Sequence, residues 1–171
     1  MTTDVAADVI ATLINRGLTI AVAESLTGGL LVAELIRVPG ASATVNGGVV
    51  AYNTELKHTI VGVDASLLAE HGPVHPEVAR QMASRVRVAL AIGGVPADVG
   101  LSTTGVAGPG GQGGHAPGTV YIGVAVGEAA TAFRLELGGD RQSVRSQTVA
   151  RSLEQLGAVL VATGGSPGEP F

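Results

Sequence analysis

The segment Leu18-Thr19-Ile20-Ala21-Val22, running into Ala23-Glu24-Ser25-Leu26-Thr27-Gly28-Gly29, decides how this chain folds. Leu18 to Val22 reads as a buried strand, and Thr27 to Arg37 carries the apolar spacing of a helix ended before Pro39-Gly40. A serine therefore stands where a strand gives way to a helix, the repeating junction of α/β architectures. Backbone N–H groups at a helix start lack intrahelical acceptors, so a group held beside Ser25 would meet the donors of Thr27, Gly28 and Gly29. The two glycines let a ligand approach the backbone closely. The alternative is that Ser25 simply caps the helix, a position serine favours.

Outward from this junction, strand and helix alternate. Asp4 to Arg16 has apolar residues at Val5, Val9, Ile10, Leu13 and Ile14, a helical spacing that Gly17 stops. Asn46 to Ala51 reads as a second strand, Thr54 to Val61 as a short helix and Ser66 to His71 as a helical turn. Pro76 to Ile92 is a longer helix with proline in its first turn. Asp98 to Ser102 is a third strand. Thr103 to Gly118 holds seven glycines and two prolines in sixteen residues, which predicts a long loop of the kind that is either functional or disordered. Thr119 to Val126, with clean alternation of Val120, Ile122, Val124 and Val126, and Ala130 to Leu137 are the last strands. Asp140 then caps a final helix reaching about Val161. The expected fold is α/β, a three-layer α/β/α sandwich whose mixed sheet ends in an antiparallel hairpin of the two late strands. No internal repeat is visible.

With 171 residues and 46% hydrophobic content, the chain suits one domain with a full core, spanning residues 1–163. Residues 164–171, rich in Gly and Pro, read as a flexible tail. Aromatic residues are 2% of the chain and Trp is absent, so the core must pack small aliphatic side chains closely. A net charge of -4 without a Lys/Arg cluster, together with so few stacking platforms, argues against nucleic acid as a partner. There are no cysteines, which excludes disulfides, thiolate metal sites and a cysteine nucleophile. Asp4 and Asp8 stand in place of a basic leader, and no apolar run reaches the roughly 18 residues of a membrane span. A cytoplasmic protein that makes no use of a membrane is expected. Small aliphatic surfaces and short hairpin edges favour a homo-oligomer.

Tyr52-Asn53-Thr54-Glu55-Leu56-Lys57 lies where the second strand feeds the next helix. Ser25 and Tyr52 both follow strand carboxyl ends, where open α/β sheets bind ligands, and so are placed to face one cleft. Lys57 is the single lysine of the chain. Arginine is not a base at accessible pH, whereas a lysine among apolar groups falls toward neutrality and can take the proton of a serine. Such Ser-Lys pairs are an established variant of the serine triad; the alternative is a surface lysine whose stem lies along the protein. The histidines are less promising: His71 and His75 flank Gly72-Pro73 and cannot share a helix face, His58 faces solvent, and His115 lies in the glycine loop. No metal site is expected. In Gly138-Gly139-Asp140-Arg141-Gln142-Ser143-Val144-Arg145, the two arginines share one face near the positive end of the final helix and are placed to clamp an anion. A solvated face paired with Asp140 or Glu154 is the alternative. Thr103-Thr104-Gly105-Val106-Ala107-Gly108-Pro109, just past the third strand, brings hydroxyls and glycines that can line an anion or ribose pocket, with Thr104 and Gly105 as the candidates.

Taken together, Ala-Glu-Ser-Leu-Thr-Gly-Gly from 23, Tyr-Asn-Thr-Glu-Leu-Lys from 52, Thr-Gly-Val-Ala-Gly-Pro-Gly-Gly from 104, Pro-Gly-Thr-Val-Tyr-Ile-Gly from 117 and Gly-Asp-Arg-x-x-Val-Arg from 139 closely resemble the C-terminal domain of the CinA family, the nicotinamide mononucleotide deamidases. The resemblance covers roughly Val5 to Leu160. It implies the stand-alone form of a family whose long form adds an N-terminal molybdopterin-binding-like domain. It also implies hydrolysis of the carboxamide of nicotinamide mononucleotide to nicotinate mononucleotide and ammonia, recycling a pyridine nucleotide without metal or cofactor. On that resemblance Ser25 is the nucleophile, Lys57 its general base, and Tyr52 a hydroxyl that assists proton transfer or positions the pair. The N–H groups after Ser25 would bind the oxyanion, and Arg145 and Arg141 the phosphate, provided the final helix meets the Ser25 edge of the sheet. Leu26 departs from the many members with cysteine there, which changes the packing beneath the site. Two other readings are a non-enzymatic nucleotide-binding or interaction module, as the family name suggests, and an amidase or peptidase with another substrate. Ser25, Tyr52 and Lys57 are all present, which favours the enzyme.

Overall fold

Termination of the first helix sets where the sheet begins. In the computed structural model, which describes residues 4–164, α1 (Val5–Arg16) starts with the Asp4 carboxylate accepting the Ala7 N–H. It ends at Gly17 in the left-handed region, with the Gly17 and Leu18 N–H groups turned back onto the Ile14 and Leu13 carbonyls. Leu18 is thereby spent on closing the helix. As a result β1 runs Ile20–Glu24, two residues later than Leu18 to Val22.

The next helix also starts late, because Ser25 to Gly28 form a turn in which the Gly28 N–H bonds the Ser25 carbonyl at 3.1 Å. Gly28 and Gly29 sit at φ 60° and 100°, which no helix accommodates. Hence α2 is Leu30–Ile36 with Gly29 as its N-cap, and Ser25 does not cap it. After a 3-10 turn at Ala41–Ala43 come β2 (Val45–Val50), α3 (Thr54–Thr59), α4 (Ala65–His71) and α5 (Pro76–Ala89). The third strand, β3 (Val99–Gly105), takes in Thr103 to Gly105, expected as loop, because β4 (Thr119–Val126) pairs with it as far as Gly105 opposite Val120. Then follow β5 (Ala129–Glu136) and α6 (Arg141–Thr163), the latter capped by Asp140 through the Ser143 N–H.

The sheet order is β2-β1-β3-β4-β5. β1 is parallel to β2 and β3, whereas β4 is antiparallel to β3 and to β5. This is the expected three-layer sandwich. Alternate residues of β1 separate the layers: Ile20 and Val22 face the core under α1, α2 and α6, while Ala21 and Ala23 face the core that α5 covers with Val78, Met82 and Val86. The α5 side is unusually close. A Cβ at Gly100 would stand 1.8 Å from the Ala83 carbonyl oxygen, and one at Gly123 2.1 Å from that of Ala79, so the helix backbone lies directly on the strands. Ser102 uses the same proximity to donate to Ala79 O at 2.7 Å.

No helix among the described residues is long and apolar enough to cross a membrane. Of the tail expected at residues 164–171, only Gly164 lies within the described residues, where its N–H bonds Leu160 O.

Candidate active site

The parallel strands β1, β2 and β3 end on one edge of the sheet, and a cleft of about 390 Å³ opens there. Such edges gather ligand sites in α/β folds, and the volume is that of a small-molecule pocket. Ser25 follows β1, Tyr52 follows β2, and Thr104 and Gly105 complete β3; all four line the cleft together with Lys57 and Arg141.

Lys57 reaches the cleft from below. Asn53 caps α3, its side chain accepting the Glu55 N–H at 2.9 Å, which turns the first turn of α3 back over the end of β2. Lys57 is left 1% exposed. Its Nζ donates to Ala51 O at 2.7 Å and to Ser25 Oγ at 3.1 Å. Burial without a partnering carboxylate drives its pKa from 10.5 down to about 8. Roughly one Lys57 in ten is then neutral at pH 7, about 300-fold more than for an ordinary lysine. With one N–H fixed on Ala51 O, the neutral amine has its lone pair free to accept from the Ser25 hydroxyl.

The turn that carries Ser25 is held from three directions. The Glu24 carboxylate accepts the N–H groups of Gly29 at 3.0 Å, Leu31 at 3.1 Å and Val32 at 2.8 Å, so a side chain of β1 serves as anchor for the start of α2. From β3, Thr103 Oγ1 lies 2.8 Å from Thr27 Oγ1 and accepts a long 3.4 Å bond from the Ser25 N–H. From α6, Arg145 donates through Nε to Leu26 O at 2.9 Å and through Nη2 to Thr27 O at 3.1 Å. Glycine at 28 is favoured here because its φ of 60° closes the turn in the left-handed region that side-chain-bearing residues rarely adopt.

These bonds redistribute the donors expected after Ser25. The Gly28 N–H is taken by Ser25 O and the Gly29 N–H by Glu24. Among the described residues the N–H groups of Leu26 and Thr27 have no acceptor, and Leu26 lines the cleft. Thr27, Gly28 and Gly29 do not line it. Leu26 packs its side chain with Ala107, Val120 and Val144.

The two arginines are separated by role. Arg141 borders the cleft and donates to Gly108 O at 2.7 Å and to the Tyr52 hydroxyl at 3.0 Å. Arg145, one turn further along α6, lies behind the Ser25 turn and away from the cleft lining. Neither pairs with Asp140 or Glu154; Glu154 is bound to Arg151. Tyr52 is 60% exposed on the rim, with its hydroxyl engaged by Arg141 and not by Ser25 or Lys57. Thr104 Oγ1 donates to Pro73 O at 2.7 Å, tying β3 to the turn before α5. Although the chain carries a net charge of -4, the described cleft lining contains Lys57 and Arg141 and no carboxylate. The cleft therefore attracts anions.

Glu24 and the wall formed by Pro73, Val74 and Gln112 are contributions that the sequence reading did not assign, and Thr103, expected at a pocket wall, instead braces the Ser25 turn. Glu24 had a signal: an acid ending an apolar strand, five to eight residues before the N–H groups it binds. His71 ends α4 and His75 caps α5, so the two share no helix face. His71 and His75 stack across the α4–α5 turn with ring centroids 4.5 Å apart, and His75 Nδ1 accepts the Glu77 N–H. Among the described residues no group of three or more histidines and carboxylates is arranged to hold a metal.

Comparison with known proteins agrees with this architecture. A putative competence-damage inducible protein of Geobacillus kaustophilus is 49% identical over 135 residues, 78% of this chain and 31% of its own length. A CinA-like protein of Frankia casuarinae is 43% identical over 152 residues, 89% of this chain and 34% of its own length. The chain thus spans about a third of the curated relatives it matches. Among solved structures, a CinA superfamily protein from Klebsiella pneumoniae superposes with a TM-score of 0.87 at 30% identity, covering 93% of this chain and 97% of that one. One from Escherichia coli gives 0.85 at 27%, covering 94% and 92%. The family model for the CinA C-terminal domain matches residues 2–160, and the chain belongs to that family.

Proposed function

We propose that this domain hydrolyses the carboxamide of nicotinamide mononucleotide, giving nicotinate mononucleotide and ammonia through a serine acyl-enzyme. The observation that carries the proposal is the buried Lys57 amine 3.1 Å from Ser25 Oγ at the floor of an anion-attracting cleft. An amide is a weak electrophile with a poor leaving group, so its cleavage needs an activated nucleophile, a stabilised oxyanion and a proton for the departing nitrogen. Neutral Lys57 takes the Ser25 proton as Oγ bonds to the carboxamide carbon. The carbonyl oxygen becomes an oxyanion facing the free Leu26 N–H. The Lys57 ammonium returns the proton to nitrogen, the C–N bond breaks and ammonia leaves. Water then adds to the ester, giving a proton to Lys57, and the C–Oγ bond breaks as Lys57 returns that proton to Oγ, restoring Ser25 and releasing the acid, which ionises to the carboxylate.

The substrate assists in two ways. Its N-ribosylated pyridinium withdraws electrons from the carbonyl, and its positive charge beside Lys57 favours the neutral amine. Arg141, unpaired with any described carboxylate, binds the phosphate. The test is to incubate the protein and its Ser25→Ala variant with nicotinamide mononucleotide while measuring ammonia and nicotinate mononucleotide. Release by the parent protein alone is the expected result. No release by folded protein would refute the reaction, and release by both would refute the nucleophile.

A further inference from the structure

Resting on that reading of the Ser25 site, we propose that Arg145 is a positioning residue for the oxyanion donor and not a ligand of the substrate phosphate. Its guanidinium sits at the head of a chain of bonds. Arg145 Nη2 donates to Thr27 O at 3.1 Å; the peptide unit of that carbonyl carries the Gly28 N–H, which donates to Ser25 O, also at 3.1 Å. The peptide unit of Ser25 O in turn carries the Leu26 N–H, the free donor at the cleft. A planar trans peptide holds its N–H opposite its carbonyl, so fixing each carbonyl aims the next N–H. Hydrogen bonds in series polarise one another, and the first donor here is a full cation. Arg145 Nε, on Leu26 O at 2.9 Å, fixes the Thr27 N–H in the same way.

The remaining contact of the guanidinium is Nη1 to Gln142 Oε1 at 3.2 Å on its own helix. Each of the three guanidinium nitrogens thus donates one bond to a protein oxygen, which fixes the plane of the group behind the turn. Arg141 differs, since it borders the cleft itself. Oxyanion stabilisation depends on donors held in place before the reaction. An arginine that sets such a donor without touching substrate should thus affect turnover and leave ground-state binding alone.

The experiment compares Arg145→Met, Arg145→Lys and Arg141→Met with the parent protein. For nicotinamide mononucleotide, the Arg145 variants are expected to lose roughly ten- to hundredfold in kcat at unchanged KM, because a lost oxyanion donor costs about 10²–10³ and here it is weakened, not removed. Arg141→Met should raise KM and retain kcat. Arg145→Lys, a point charge unable to span two carbonyls, carries the test if the Met variant does not fold. A second readout is independent of the deamidation reaction. Pyridine-3-boronic acid accepts Ser25 Oγ at boron while the serine proton passes to Lys57, giving a tetrahedral anion that mimics the oxyanion. Its affinity should fall in the Arg145 variants while that of nicotinate mononucleotide holds. A raised KM at constant kcat, or unchanged kcat and boronate affinity, would overturn the proposal. If the parent protein does not turn over nicotinamide mononucleotide, the substrate assignment fails and the boronate titration alone decides the role of Arg145.

Discussion

Replacing Lys57 by methionine should make the protein more tolerant of urea at neutral pH than at pH 10, relative to the parent chain. A buried amine with pKa about 8 in place of 10.5 is a stability penalty, because folding must keep it charged in a site that disfavours charge. The difference of about 2.5 units corresponds to about 3 kcal/mol at 1.36 kcal/mol per unit. Below pH 8 both folded and unfolded chains hold the proton and the penalty is complete. Between pH 8 and 10.5 the unfolded chain still holds a proton that the folded chain has released, so stability climbs with pH. Above 10.5 both are neutral and the penalty has gone. The term therefore falls from about 3 kcal/mol at pH 7 to about 1 kcal/mol at pH 10. Methionine removes it but leaves Ala51 O and Ser25 Oγ without the Lys57 donor, a loss of about 1–3 kcal/mol that does not depend on pH. The informative quantity is thus the change in the gap between the two proteins. With a urea slope of about 2 kcal/mol per M, the gap in midpoint should move by about 1 M from pH 7 to pH 10, in favour of the parent chain. A gap that stays constant, or that moves the other way, refutes the account of Lys57 as a desolvated amine.

Two further outcomes are expected. The kcat/KM of the proposed deamidation should rise with pH from 6, reach half its maximum near pH 8, where half of Lys57 is neutral, and level above about pH 9; a flat profile from pH 6 to 9 would exclude it as the base. Gly123→Ala should destabilise the domain by more than about 3 kcal/mol, since the added methyl meets Ala79 O at 2.1 Å and Ser102 Oγ at 2.5 Å. A melting temperature within 2–4 °C of the parent, equivalent to about 1 kcal/mol, would contradict the close seating of α5.

The alternation of strands and helices was legible because buried strands and amphipathic helices have different apolar periods. Where the boundaries moved, a specific hydrogen bond moved them. Leu18 looks like strand by its side chain, yet its N–H belongs to the closing motif of α1. Thr103 to Gly105 look like loop by composition, yet they have the β4 backbone to pair with. Ser25 and Lys57 were suggested by residue type and by their places after two strands, and the structure sets them 3.1 Å apart. Glu24 and Thr103 accept from backbone N–H groups of the turn and its helix, Arg145 donates to backbone carbonyls, and a backbone partner leaves no mark on the residue that supplies it. The two arginines were indistinguishable in sequence because helical spacing gives a shared face but not which end of it meets a cleft.

The bonds from Arg145 to Leu26 O and Thr27 O join residues 119 and 118 positions apart, from the last helix of the chain to the end of its first strand. A ribosome completes the segments bearing Ser25 and Lys57 long before it emits α6. The turn is accordingly braced only once α6 has emerged, and a fragment stopping short of α6 would hold Ser25 and Lys57 without the two bonds that Arg145 supplies from behind.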